Sequence, residues 1–182
     1  MTHDRKLEEW IAQTGQGDTQ AFGALYDHCS RAVYAYALSI LRLPDAADDV
    51  SQDAFLKIWR AAPAYTPQGK PMAWIMRIVR NLCLDELRRP ASVELTDGAV
   101  RPETAVSDDS TVIEREYLRG LIDTLLTSEE RDIVLLRIDG DLTHAEIAQT
   151  LGLSTPMVSW RYTYALKKLR KRFLQDSHEQ NL

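Results

Sequence analysis

Six basic residues, Arg161, Lys167, Lys168, Arg170, Lys171 and Arg172, fall within twelve positions that contain no acid. Cations at that density neutralise nucleic-acid phosphates and release their counterions, so the chemistry on offer is binding rather than bond-making. A basic helix end also complements the helix dipole and stays solvated, and the run alone favours that plainer reading. Its neighbours reverse the balance. Thr143 and Glu146 have capping-box spacing, Ile147, Ala148 and Leu151 follow at helical intervals, and Gly152 supplies a residue able to end a helix in the left-handed conformation. Thr155 suits an N-cap and Pro156 the first helical position, after which Val158, Tyr162, Ala165, Leu169 and Phe173 trace one buried stripe. The stretch from Asp141 to Phe173 therefore predicts a helix-turn-helix. Its second helix turns Ser159, Trp160, Arg161, Thr163, Tyr164, Lys167 and Lys168 away from the core.

A second group is acidic. Asp45, Asp48, Asp49 and Asp53 precede any base in a helix predicted from about Asp45 to Ala61. Asp49 and Asp53, like Asp48 and Gln52, lie one turn apart and share a face. Two readings stand level: a well-capped, solvated helix end, or a face that docks on a basic partner. A third group surrounds the polar loop APAYTPQGK, where Pro71 opens a helix running to Arg89 with Trp74, Arg77, Arg80, Asn81, Arg88 and Arg89 on or near its outer side. An aromatic ring with Arg and Asn beside a loop suits single-stranded DNA, whose bases stack on rings and present free edges. For an isolated helix the plainer alternative, Trp74 in the core and the arginines solvated, is favoured.

No Gly-rich phosphate loop, metal-spaced His and Cys set, or nucleophile beside a base stands out, and none of His3, His28, His144 and His178 asks for a metal. No catalytic residue, cofactor, metal or small-molecule substrate is therefore expected.

The elements that must hold these groups are helical. Leu7, Trp10 and Ile11 mark a short first helix. Asp18 caps a long second one, in which Phe22, Leu25, Tyr26, Cys29, Val33, Tyr36, Ala37 and Ile40 keep a three-four rhythm until Pro44. The third helix turns Val50, Ala54, Phe55, Ile58 and Trp59 inward, and the fourth Ile75, Ile78, Val79 and Leu82. From Pro90 to Thr111 periodicity disappears and five acids face Arg101 alone, which predicts a flexible acidic linker. Beyond it, Val112, Ile113, Tyr117, Leu121, Ile122 and Leu125 trace a helix, and Thr127 with Glu130 caps another through Val134, Leu135 and Ile138 to Gly140. The expected fold is all-α: two helical domains, at 1–89 and 112–182, joined by the linker at 90–111.

Over 182 residues, 22 Lys and Arg against 27 Asp and Glu give a formal charge of −5. Acidic surface repels duplex DNA from every face but the basic one, so a large protein partner is expected to share the grip. Cys29 and Cys83 sit in apolar helical patterns, which suits reduced core thiols in the cytoplasm. With no apolar run long enough to span a bilayer and no signal-peptide core in MTHDRKLEEW, a soluble protein without membrane insertion is expected.

The run DAADDVSQDAFLKIWRAAPAYTPQGKPMAWIMRIVRNLCLDELRR resembles region 2 of bacterial extracytoplasmic function sigma factors, and TSEERDIVLLRIDGDLTHAEIAQTLGLS is similar to their region 4. The resemblance covers nearly all of the chain apart from the linker and the tips. It implies a specificity subunit of RNA polymerase. Asp48, Asp49, Gln52, Asp53 and Leu56 would meet the clamp helices of the largest core subunit, with the flap as a further contact. Tyr65, Gln68, Lys70, Trp74, Arg77, Arg80, Asn81 and Arg88 would hold the minus-ten element as it melts, with one base extruded near Asn81. The C-terminal domain would read the minus-thirty-five duplex through Thr143, Thr155, Ser159, Trp160, Arg161, Thr163, Tyr164, Lys167 and Lys168. The resemblance further implies an anti-sigma protein that clamps the two domains. The chain departs from the family in its recognition helix, where Pro156, Met157, Val158, Ser159, Trp160 and Arg161 replace the frequent Gly-Thr-Val-Lys-Ser-Arg. Two rival functions are a free-standing duplex-binding regulator that dimerises through its N-terminal helices, and an inhibitor that occupies polymerase without promoter choice.

Overall fold

The computed structural model describes residues 3–89, 117, 118 and 120–179, all in helices and the turns between them, with no strand among them. The expected acidic linker at 90–111, and the start of the helix expected from Val112, lie outside the described residues.

Helix α1 (His3–Gly15) buries Leu7 and Ile11, one turn apart, against the helices that follow. A Cβ on Gly15 would stand 2.9 Å from the carbonyl oxygen of Ala62, so glycine lets α1 end hard against the 3-10 turn Ala62–Ala64. Asp18 caps α2 (Thr19–Leu41) as expected, its carboxylate accepting from the N–H groups of Gln20 at 2.8 Å and Ala21 at 3.1 Å. Such a cap contributes about 1 kcal/mol. At the other end Arg42 takes a left-handed φ of 63° and donates its N–H to Leu38. Pro44, expected to stop α2, opens α3 (Pro44–Ala61), where its missing N–H costs nothing.

Helix α4 (Pro71–Arg88) differs from expectation in its inner face. Ala73, Ile75, Met76, Val79 and Cys83 are buried, while Ile78 and Leu82 are only half-buried. The reason is that α4 is covered on two sides, by the N-terminal helices and by the C-terminal ones. The latter are α5 (120–125), α6 (Ser128–Ile138), α7 (His144–Leu151) and α8 (Thr155–Glu179). Both expected capping boxes are formed: Thr127 with Glu130 starts α6, and Thr143 with Glu146 starts α7.

One continuous apolar core joins the two halves. Ile133, Leu136, Leu142, Ile147 and Val158 belong to the same buried cluster as Leu25, Val33, Ile58, Met76 and Val79. A smaller cluster of Ile122, Leu126, Val134 and Ala165 seats α8 on α5 and α6. Full burial of a side chain such as Met76 or Ile147 stabilises by about 1.5–3 kcal/mol, so the halves hold each other appreciably. Cys29 and Cys83 are free and buried, and burial pushes both thiols up to about 12, leaving them protonated at neutral pH. Among the described residues, no helix is long and apolar enough to cross a membrane.

Candidate nucleic-acid interface

The turn Gly152–Ser154 joins α7 to α8, and Gly152 has the expected left-handed φ of 70°. The cap of α8 lies one residue earlier than expected. Ser154, not Thr155, fills it, with its hydroxyl accepting from the Met157 N–H at 3.4 Å, which leaves Thr155 exposed on the first turn. Val158 and Ala165 are buried and Tyr162 and Leu169 half-buried, but Phe173 is 48% exposed with its ring 6.3 Å from that of Tyr117. The buried stripe thus ends at Leu169.

On the outer face, the rings of Trp160 (64% exposed) and Tyr164 (46%) lie stacked, centroids 5.5 Å apart and planes 5° from parallel. The Lys168 ammonium sits 4.7 Å from the Tyr164 centroid. Spacing of four residues stacks these three groups into one ladder along the helix. Two of the bases are tied to acids in the first turn of α6: Arg161 pairs with Glu129, and Lys168 donates to both Glu130 oxygens at 2.9 and 2.8 Å. Lys167, Arg170 and Lys171 remain exposed. Ser159 Oγ lies 2.9 Å from His144 Nδ1, Thr163 donates to the Ser159 carbonyl at 2.9 Å, and the Thr143 hydroxyl donates to Glu146 at 2.6 Å. Side chains of both helices of the motif are therefore held in place before any DNA arrives.

Burial pushes the Glu130 carboxyl up, yet hydrogen bonds from Lys168 and the Thr127 N–H outweigh it and hold the group below its ordinary 4.5. A carboxylate depressed in the fold stabilises it above the ordinary range and loses that contribution as pH falls through the folded value. Glu130→Gln is therefore expected to lower Tm at neutral pH, with the gap to the unaltered protein closing as pH drops below 4.5 in a calorimetric series. A gap independent of pH would contradict this.

Around the polar loop, Ala64, Tyr65, Thr66, Gln68, Lys70, Trp74, Arg77 and Gln149 line a cleft of about 220 Å³. Trp74 is half-buried, neither in the core nor free, and its ring stands 4.8 Å from that of Tyr65. Five of the eight side chains expected at melted DNA, Tyr65, Gln68, Lys70, Trp74 and Arg77, are brought together here. Arg80 lies further along α4, while Asn81 and Arg88 are exposed beyond it and outside the cleft. The C-terminal half already occupies several of these groups. Arg77 donates to the Gln149 carbonyl at 2.6 Å, Lys70 to that of Ala145 at 3.4 Å, and Gln68 accepts from the Gln149 amide at 2.8 Å. Arg80 donates twice to Asp132, at 3.0 and 2.6 Å, and Thr150 reaches the Ala73 carbonyl at 3.3 Å.

The acidic face has no such cover. Asp48, Asp49, Gln52, Asp53 and Leu56 are all exposed on α3, Leu56 by 54%, opposite the buried Val50, Ala54 and Ile58. No hydrogen bond or ion pair holds the three acids among the described residues.

Asp132, Gln149 and Thr150 were missed by sequence reasoning. Their partners lie 52 to 81 residues away, and no local pattern marks such contacts.

Comparisons with known proteins agree with this geometry. The Sigma-70 region 2 family matches residues 25–92, and the Sigma-70, region 4 family matches residues 124–171. The ECF RNA polymerase sigma factor SigK of Mycolicibacterium vanbaalenii is 29% identical over 91% of this chain and 88% of its own. The solved structure of CnrH in complex with the cytosolic domain of CnrY superposes with a TM-score of 0.73, covering 94% of this chain and 99% of that one at 25% identity. The sigma factor RpoE, solved with the anti-sigma factor NepR from Bartonella quintana, shares the fold at a TM-score of 0.66, 19% identity and 84% and 96% coverage. With both regions matched in family order and relatives that are ECF sigma factors, the chain belongs to the sigma-70 family, whose members are non-enzymatic transcription initiation factors, and within it to the extracytoplasmic function group.

Proposed function

We propose that this sigma factor binds core RNA polymerase through Asp48, Asp49, Gln52, Asp53 and Leu56, melts and holds the minus-ten element on the α4 cleft, and reads the minus-thirty-five duplex with α8. It catalyses nothing itself, works in the cytoplasm and is released after initiation. Residues 1–89 form the polymerase-binding and melting unit and 112–182 the duplex-reading unit, with 90–111 as the tether. The observation that carries this reading is the occurrence on one chain, in order, of the region 2 and region 4 matches, each falling on a surface suited to its task. A free-standing regulator is disfavoured by the formal charge of −5 and by the pairing of Arg161 and Lys168 with acids of α6. It would shift duplex DNA in the absence of polymerase, and this protein is expected not to.

The RpoE structure contains an anti-sigma factor, and a protein of that kind is an expected partner here. It would hold the two halves together in the arrangement already described. The test is co-purification: recovery of the protein from uninduced cells with no inhibitor bound would remove this partner.

Promoter choice in the duplex is assigned to the aromatic ladder. Trp160 and Tyr164 present flat apolar surface suited to thymine methyls, where burying one methyl group contributes about 0.8 kcal/mol. Trp160→Ser is expected to reorder the protein's promoter preferences, lowering transcription about fourfold at promoters with thymines in the minus-thirty-five element. An unchanged ranking in multi-template transcription would show that the ladder does not read sequence.

A further inference from the structure

The cleft on α4 has an anchor from an unexpected place. Glu8, in the middle of α1, extends a carboxylate oxygen that accepts from the Gly69 N–H at 2.7 Å and from the Tyr65 hydroxyl at 3.4 Å. Residues 65–70 contain Pro67 and a left-handed Gly69 at φ 70°, and among the described residues their backbone-to-backbone bonds lie at the ends, from Tyr65 N–H to Ala62 and from Trp74 N–H to Lys70. Between those ends, at Gln68 and Gly69, two side chains from other elements hold the loop among the described residues. One is Gln149, through Gln68, and it belongs to the C-terminal half. The other is Glu8. When the two halves separate, the Gln149 and Ala145 contacts are lost together, whereas both Glu8 bonds lie wholly within the N-terminal half and persist. Helix α1 is itself fixed, by buried Leu7 and Ile11 and by the close approach of Gly15 to Ala62.

We infer that Glu8 is a positioning residue for promoter melting: it pins the Tyr65–Gly69 loop so that the Tyr65 ring stays against Trp74 and forms the wall on which an unstacked base comes to rest. The residue lies outside the segment matched by region 2, and the inference rests on the reading that the α4 cleft receives the melted minus-ten strand. A hydrogen bond to a charged acceptor fixes a loop amide more firmly than a water-filled alternative, and a loop left to fluctuate presents its aromatic wall only part of the time.

The test uses the full chain with core polymerase and a supercoiled plasmid carrying one start site mapped with the unaltered protein. Permanganate reactivity of thymines reports melting, and anisotropy reports affinity for core. Glu8→Ala is expected to reduce melting about tenfold with core affinity unchanged. Glu8→Gln, whose amide oxygen still accepts from Gly69 and Tyr65 though without the charge, is expected to restore most of it. The inference is overturned if Glu8→Ala melts normally, if Glu8→Gln is as defective as Glu8→Ala, or if core affinity falls in step with melting. Trp74→Ala separates this from the reading beneath it. Normal melting by Trp74→Ala removes the cleft as the strand site. Defective melting by Trp74→Ala with normal melting by Glu8→Ala removes only the positioning role.

Discussion

Asp49→Lys combined with Asp53→Lys is expected to weaken binding to core RNA polymerase by about a hundredfold, because close charge pairs across an interface couple by about 1.5–7 kcal/mol and reversal turns attraction into repulsion. The two residues lie one turn apart on α3 and are exposed, with Asp48 and Gln52 beside them and Leu56 as the one apolar member of the face. Nothing within the described chain uses these acids. Asp45 is the acid in the first turn of α3, and Asp49 and Asp53 lie beyond the turn in which the helix dipole acts, so they contribute little to the fold. A nearly unchanged Tm with a large fall in core affinity is therefore the expected pattern. If affinity measured by anisotropy changes less than about threefold, a value within ordinary rim-charge effects, the acids only solvate a helix end.

Asp132→Arg is expected to open the molecule. Arg80 donates two hydrogen bonds to Asp132 across the contact between the halves, and both side chains are largely shielded. Breaking such a pair and leaving one charge behind costs about 3 kcal/mol, and placing a second guanidinium there adds repulsion, so the balance between packed and separated halves shifts by about two orders of magnitude. The shared core around Met76, Leu142 and Ile147 opposes separation, yet it is the same core from which the proposed minus-ten side chains must be freed. Arg77, Lys70 and Gln68 each bond to α7 in the packed arrangement, so α7 competes for these groups with the strand they are proposed to hold. Energy transfer between dyes on α3 and α8 is expected to fall in Asp132→Arg while helix content by circular dichroism is retained. Unchanged transfer would mean that apolar burial alone keeps the halves together.

Local devices were legible in the sequence and distant ones were not. The caps at Asp18, Thr127 and Thr143 each involve groups three residues apart or closer, and each formed as read. The three-residue turn before α8 was legible for the same reason, although Ser154 took the capping place read for Thr155, since both hydroxyls are suitable and only backbone geometry decides. The inner face of α4 differs from its periodic stripe. Periodicity identifies one apolar stripe, and Ala73 and Met76 are buried because a second body covers the helix from the other side. The spacing of Phe173 continues the buried stripe of α8, yet its ring is half-exposed because among the described residues no element reaches that far along the helix to cover it fully. The pairing of Arg161 and Lys168 with Glu129 and Glu130 spans more than thirty residues, so a run that reads as uniformly free cation is partly neutralised in the fold. Glu8 gave no signal at all: a lone acid on an amphipathic helix reads as solvated until its partner, 61 residues on, is seen.

The most direct measurement is the map of RNA start sites made by purified core RNA polymerase on genomic DNA, with and without this protein. A small set of new, reproducible starts that appear only when the protein is added, and that vanish with Asp49→Lys plus Asp53→Lys, is the predicted result. Identical start sites in its presence and absence, or failure of core enzyme to bind it, would contradict the account.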